Sequence, residues 1–219
     1  MSERYILFDL DGTLTDPGIG ITNCVGYALQ KCGVYPASRE ELYPYIGPSL
    51  TWGFQRYHGL SEEQAKQALT YYRERFSVKG MYENEVYDGI PALLEELRGR
   101  GARLLVATSK PEEFTNEILR HFGLAEYFDF VAGNTLDDRR PTKASVIAYL
   151  QEKYPAITAR NSIMVGDREY DILGARERGL PAVGVLYGYG SREELEKAAA
   201  AHIVEDIPAL HEFLINRLY

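Results

Sequence analysis

The chain has little cysteine, no excess of basic charge and no long apolar run, and each shortage closes off a class of protein. Its 219 residues include two cysteines, Cys24 and Cys32. In a helix-like stretch their spacing of eight residues, at ~1.5 Å each, puts them roughly 12 Å apart and beyond disulfide reach. They read as reduced core thiols rather than as a disulfide framework. Lysine and arginine number 24 against 32 aspartates and glutamates, giving a formal charge of −8 and a pI near 5.1. That sign disfavours nucleic-acid and anionic-membrane partners, which want a basic face. No segment approaches the ~18 uninterrupted apolar residues of a membrane span. The apolar run near the N-terminus is too short for a signal-peptide core and is cut by Asp9. The expectation is an acidic cytoplasmic protein with a small-molecule partner, no nucleic acid and no membrane, as a monomer or weak homodimer.

What is present begins at Tyr5-Ile6-Leu7-Phe8-Asp9-Leu10-Asp11-Gly12-Thr13-Leu14. Four apolar residues running into two carboxylates read as a buried strand that delivers polar groups at its C-terminal end, where open α/β sheets bind ligands. Asp9 and Asp11 lean to one side of an extended chain, and two anions held together repel unless something positive lies between them. Hard oxygen donors favour Mg2+, which takes one or two carboxylates and keeps the rest of its shell for water and phosphate. Gly12 permits a sharp turn, and the Thr13 hydroxyl is available to brace it. Taken alone, Asp-Gly is also an ordinary turn; the apolar lead-in and the second carboxylate favour a site.

After the turn cluster Thr15-Asp16-Pro17-Gly18, residues 19–79 carry helical spacing and almost no strand character. Val25, Leu29 and Cys32 share a face of a first helix that ends at Gly33. A break at residues 43–49 precedes a short aromatic helix around Trp52 and Phe54. Ser61-Glu62-Glu63-Gln64 has the spacing of a capping box and opens a helix with Ala65, Leu69, Tyr72 and Phe76 on one face. From Tyr87 an alternating rhythm begins. Leu93, Leu94 and Leu97 form a helix face; residues 103–107 form a strand delivering Thr108-Ser109-Lys110, and residues 111–122 a helix opened by Pro111. Strands at 128–132, 162–165 and 182–186 follow, with helices from Lys143 to Lys153, from the Asp167 loop to Arg178, and after Ser191. Strand, helix, strand, helix implies a parallel sheet with right-handed crossovers. The predicted fold is therefore α/β, a Rossmann-like core of residues 1–16 and 85–219 interrupted by an all-helical cap domain at residues 17–84. An insert at that point is expected over the catalytic edge of the sheet, as a lid.

Three later positions fall at the same sheet edge as Asp9. Thr108 ends one strand, Asp167 ends another with Asp171 one helical turn on, and Lys143 opens the helix between. Singly, each has a plain explanation: a helix cap, an acidic turn, a solvated lysine. Together they supply a nucleophile, a metal cage, a hydroxyl and an ammonium, the set that phosphoryl transfer requires for charge neutralisation and positioning.

On these residues the chain resembles the haloacid dehalogenase superfamily of phosphatases over essentially its whole length. The matching motifs are Asp9-Leu10-Asp11-Gly12-Thr13, then Thr108, then Lys143, then Gly166-Asp167 through Asp171. The insert is similar to that family's helical cap of the first type. Ile46-Gly47-Pro48-Ser49-Leu50 and Tyr187-Gly188-Tyr189-Gly190 resemble its phosphoglycolate phosphatase group, members of which are described as nucleotidases or pyrophosphatases. The resemblance implies Asp9 as nucleophile and Mg2+ ligand. It implies Asp11 as general acid and base and, through its backbone carbonyl, a further ligand. Asp167 and Asp171 complete the metal set, while Thr108, Ser109 and Lys143 bind phosphate. Tyr45, Gly47, Ser49 and Trp52 of the cap are the candidates for substrate choice. The third motif departs from the family pattern, reading Arg140-Pro141-Thr142-Lys143-Ala144. The expected activity is Mg2+-dependent hydrolysis of a small phosphate ester, phosphoglycolate-like or a nucleoside monophosphate. The alternatives are a phosphomutase of the β-phosphoglucomutase type and a catalytically silent binding protein of the same fold.

Other phosphatase chemistries are excluded directly. A cysteine phosphatase needs arginine six residues after its cysteine, where this chain has Gln30 and Ser38. A histidine phosphatase needs Arg-His-Gly, yet none of the four histidines has both neighbours: His58 follows Tyr57, His121 precedes Phe122, and His202 and His211 have neither. Nor is Gly188-Tyr189-Gly190 a dinucleotide fingerprint, since Glu193 stands at the third glycine position.

Overall fold

A computed structural model describes residues 3–218. Strand β1 (Arg4–Phe8) is the apolar run of the N-terminus, with Tyr5 through Phe8 buried. A tight turn follows in which the amides of Leu14 and Thr15 donate to Leu10 O. The residues expected as a turn at 15–16 instead form a two-residue strand, β2 (Thr15–Asp16). Helices α1 (Gly18–Lys31), α2 (Leu50–His58) and α3 (Glu62–Arg75) come next, and β3 (Glu85–Val86) pairs with β2. The α3 capping box is complete: Gln64 N donates to Ser61 Oγ at 3.2 Å and Ser61 N to Gln64 Oε1 at 2.9 Å. Two of the four amides that a helix start leaves open are thereby satisfied. Leu69 is half-buried, and Ala68 takes its expected place on the buried face. Both cysteines are free thiols.

The rest of the chain alternates: α4 (Ile90–Gly99), β4 (Ala102–Pro111), α5 (Glu112–His121), β5 (Phe130–Asn134), α6 (Lys143–Lys153), β6 (Ser162–Gly166), α7 (Glu169–Glu177), β7 (Ala182–Val185), α8 (Arg192–Lys197), β8 (His202–Val204) and α9 (Ile207–Leu218). Pro111 is not the first helical residue of α5. Its ψ of 135° keeps it extended at the N-cap, and β4 continues up to it. Strand β8 and helix α9 were not expected. At three residues the strand is too short to show an alternation of its own.

Six strands form one parallel sheet in the order β5-β4-β1-β6-β7-β8. Leu7, Leu105 and Met164, from three neighbouring strands, share a buried cluster with Val146, Ile147 and Leu150 of α6 and Ile172 and Ala175 of α7. The chain divides into two compact units, residues 1–15 with 86–219 and residues 16–85. The helical unit is held by its own core, with Val25, Leu29, Tyr45, Phe54, Ala65, Tyr72 and Phe76 buried. No helix among the described residues is long and apolar enough to cross a membrane.

Candidate active site

The register of the sheet decides which residues meet. Phe8 pairs with Val106 of β4 on one side and Val165 of β6 on the other. Asp9, the next residue, is held to β6 by its amide, which donates to Val165 O at 2.9 Å. Thr108, in the last part of β4, and Asp167, the residue after β6, each lie two residues past those partners and so beside it. Side-chain alternation puts Asp9 on the face of Leu7, the face that α6 covers. Helix α6 opens with Thr142 as its cap, whose hydroxyl accepts from Ser145 N at 3.1 Å. Lys143 is thus the first helical residue.

Lys143 Nζ lies 2.8 Å from Asp9 Oδ1 and 2.7 Å from Asp171 Oδ1, and donates to Ala107 O at 2.8 Å. It is 4% exposed, so these contacts are made away from water and count for more than a surface pair. Arg139 and Arg140 go elsewhere. Arg139 pairs with Asp137 on the surface, and Arg140 pairs with Glu112 at 2.6 Å with its guanidinium over Tyr149. Thr108 is buried and Ser109 half-buried at the end of β4.

Asp167 is fixed from three sides. Tyr189 N donates to its Oδ2 at 2.8 Å, and Thr13 Oγ1 reaches its Oδ1 at 3.4 Å. Gly12, at φ +79°, closes the third side, where a Cβ would come within 2.2 Å of Asp167 Oδ2. Gly188 is equally constrained: a Cβ there would approach Asp167 Cβ to 2.5 Å and Gly12 O to 2.3 Å. The Tyr187 hydroxyl donates to Thr13 O at 3.0 Å. The loop after β7 therefore clasps the turn after β1 around one carboxylate.

One oxygen each from Asp9, Asp167 and Asp171 lies within 4.8 Å of the others, and all three residues are buried. Burial and the neighbouring charges of Asp171 and Asp9 hold the Asp167 carboxyl well above the usual range. Burial raises Asp171 to about 6 against the pull of Lys143, and raises Asp11 against the pull of Lys110. Burial alone would lower Lys143, but Asp171 and Asp9 push it above the ordinary lysine value. Four carboxylates, Asp9, Asp11, Asp167 and Asp171, face two ammoniums, Lys110 and Lys143. With all four ionised, two negative charges are left over, which one divalent cation would balance. The donors are all hard oxygens, so the set fits such an ion.

Lys110 was not anticipated. Its Nζ lies 2.7 Å from Asp11 Oδ2, with side chains 6% and 11% exposed. The available signal was the Thr-Ser-Lys run at the end of an apolar strand. The cap candidates lie in the helical unit and divide in two. Tyr45, expected to meet substrate, is 1% exposed. Its ring packs 5.2 Å from Phe54 and 5.3 Å from Tyr57, and its hydroxyl is 2.8 Å from His58 Nδ1. It is an interior residue because the 3-10 turn at Glu40–Tyr45 points it inward. Gly47 turns the chain at φ +109°, and Ser49 precedes α2. Trp52, in contrast, is 45% exposed.

A parallel sheet with carboxylates at the ends of adjacent strands, a buried lysine bridging two of them and a helical insert after the first strand defines a class of hydrolase. Residues 6–185 match the haloacid dehalogenase-like hydrolase family, and the chain belongs to it. It is 46% identical over 213 residues to a 5'-nucleotidase of Pseudomonas aeruginosa, across 96% of each chain. It is 39% identical over 199 residues to the tyrosine-protein kinase PtkA of Mycobacterium tuberculosis, covering 90% of this chain and 67% of that one. The crystal structure of a predicted phosphatase from Clostridium acetobutylicum superposes with a TM-score of 0.95 at 47% identity, over 99% of this chain and 100% of the other.

Proposed function

We propose that the protein is a Mg2+-dependent phosphomonoesterase that passes the phosphoryl group through Asp9. The observation that carries this reading is the convergence of Asp9, Thr108, Lys143, Asp167 and Asp171 near the C-terminal ends of three adjacent parallel strands and at the starts of α6 and α7. In the first half-reaction an Asp9 oxygen attacks phosphorus and the bond to the ester oxygen breaks, its electron pair remaining on that oxygen. Asp11 supplies the proton that makes the leaving group an alcohol. In the second, Asp11 takes a proton from water, which attacks the aspartyl-phosphate and releases inorganic phosphate. Thr108, Ser109 and the Lys143 ammonium hold the non-bridging oxygens as charge builds on them. Asp9, Asp167 and Asp171, with the backbone carbonyl of Asp11, would hold the Mg2+. When bound, that ion neutralises phosphate charge and orients the group for in-line attack.

The nucleoside monophosphate reading of the substrate is supported by the full-length likeness to a protein named 5'-nucleotidase. A phosphoglycolate-like ester is the second expectation, carried by the motif resemblance. The helical unit, inserted directly after the turn that bears Asp11, is the proposed source of discrimination between them. Of the two aromatic candidates there, Trp52 is exposed and Tyr45 is a packing support. Phosphate release from a panel of nucleoside monophosphates, 2-phosphoglycolate and sugar phosphates, with Mg2+ and with EDTA, tests the proposal. Turnover on at least one ester that EDTA abolishes is expected, whereas EDTA-resistant turnover would overturn it. A second reading, transfer to an acceptor other than water, is favoured by the likeness to a protein named tyrosine-protein kinase. It predicts that an added tyrosine peptide captures phosphoryl groups in preference to water.

A further inference from the structure

We infer that Lys110 is a positioning residue for the reaction: by holding Asp11 Oδ2 it leaves Asp11 Oδ1 as the single oxygen through which the leaving-group proton passes. This rests on the proposed role of Asp11 as general acid and base. The two site lysines are not equivalent. Lys143 contacts Asp9 and Asp171, both members of the three-carboxylate group, whereas Lys110 forms an ion pair with Asp11, which stands outside that group.

Two independent observations make the Asp11–Lys110 pair more than a charge contact. The first is geometric: the ammonium is 2.7 Å from Oδ2, both side chains are almost wholly withdrawn from water, and Lys110 reaches this place through an irregularity in β4. The register with β5 shifts between Ala107 and Pro111, and Lys110 N folds back onto Thr108 Oγ1 at 3.3 Å. The second is that Asp11 Oδ1 is buried and has no hydrogen-bond partner. Buried polar atoms are seldom left unsatisfied, and a catalytic role is one physical reason for an exception. A carboxyl with one oxygen anchored in this way has its rotation fixed. Misplacement of such a group by about 1 Å is enough to lose ~10²-fold in rate.

The step balances without a further reactant. The ester oxygen leaves with the electron pair of the broken P–O bond and takes the proton from Asp11 Oδ1. Attacking water later returns a proton to the same oxygen. A leaving group that is stable as an anion needs no proton, and this separates positioning of Asp11 from general electrostatic support.

The test compares release of the leaving group in the first turnover from an alkyl phosphate and from p-nitrophenyl phosphate, in the Mg2+-loaded full-length protein. Lys110→Met keeps the stem and removes the charge; Lys110→Arg keeps the charge with a different reach; Asp11→Asn is the reference. The inference expects Lys110→Met to lose at least tenfold more on the alkyl ester than on the aryl ester, in the first-turnover rate at saturating substrate and not in the substrate concentration that half-saturates it. Asp11→Asn should show the same signature, Lys110→Arg a smaller one, and Mg2+ affinity by calorimetry should be unchanged. Equal losses on both esters, no loss, or weakened Mg2+ binding in Lys110→Met would overturn it. If Lys110→Met does not fold, the same ratio in Lys110→Arg decides, and an unaltered ratio counts against the inference. If Asp11→Asn itself shows no dependence on the leaving group, it is the assignment of Asp11 that fails, a result separable from a failure at Lys110 alone.

Discussion

The two units of the molecule bury different things. Every buried charged side chain among the described residues belongs to the sheet unit: Asp9, Asp11, Lys110, Lys143, Asp167 and Asp171. The helical unit buries aromatic and aliphatic groups, and its buried polar residues are neutral, Thr22 and Asn84, with Thr22 returning its proton to Gly18 O four residues back. Its charges sit in partly or fully exposed pairs such as Arg75–Glu83 and Lys66–Glu62. Burying a charge is costly unless it is paired, and a cluster with a net surplus of one sign is retained for what it binds. The contrast assigns chemistry to the sheet unit, and it is breakable by substitution on either side.

The largest expected effect is at the nucleophile. Asp9→Asn preserves shape and removes the attacking charge, so steady-state phosphate release should vanish; retained turnover above about a tenth of wild type would contradict covalent catalysis there. Next comes the phosphate cradle. Thr108→Val should lower kcat by roughly 10² to 10³ if its hydroxyl acts like other donors to developing charge, with Lys143→Ala at least as damaging. Parallel assays of Arg139→Ala and Arg140→Ala should show little change, since both arginines are engaged elsewhere.

A sharper probe of the comparison is Gly188→Ala. Its Cβ has no room beside Asp167, so Mg2+ affinity by calorimetry should fall while the helical unit is untouched. The complementary change is Tyr45→Ala, which should destabilise the helical unit by about 3 to 5 kcal/mol, as for other large buried aromatics. It should leave Mg2+ affinity intact, and a metal-binding defect in that variant would erase the distinction between the units. The smallest effect concerns pH. Carboxyls raised by burial, Asp171 to about 6, are protonated in the folded protein at pH values where an unfolded chain has already lost the proton. Without a divalent ion the folded state therefore loses stability as pH rises from about 4 through that value. Added Mg2+ competes with those protons, so its increment in Tm should grow between pH 5 and 7. An increment independent of pH would argue that these carboxylates do not hold the ion.

Much of this was visible before the fold. Asp9, Asp167 and Thr108 each end an apolar run, and parallel strands in register bring such ends together, so sequence position translates directly into proximity. Lys143 was readable as the opening residue of a helix, but only packing separates it from Arg140, whose guanidinium lies over Tyr149. Lys110 was not readable, because a lysine in a sequence defaults to solvent and its burial depends on the irregular end of β4. Tyr45 misled for the opposite reason. An aromatic in a Pro- and Gly-rich stretch suggests an exposed loop, whereas here the stretch is a 3-10 turn closing the helical core.

The central claim is that the phosphoryl group passes through Asp9, and acid-quenched intact-mass analysis during turnover tests it most directly. The account predicts a fraction of wild-type protein heavier by one phosphoryl group, mapped by peptide analysis to the segment containing Asp9 and missing in Asp9→Asn. Rapid turnover with no such adduct under quench, or an adduct on a peptide elsewhere in the chain, would contradict it.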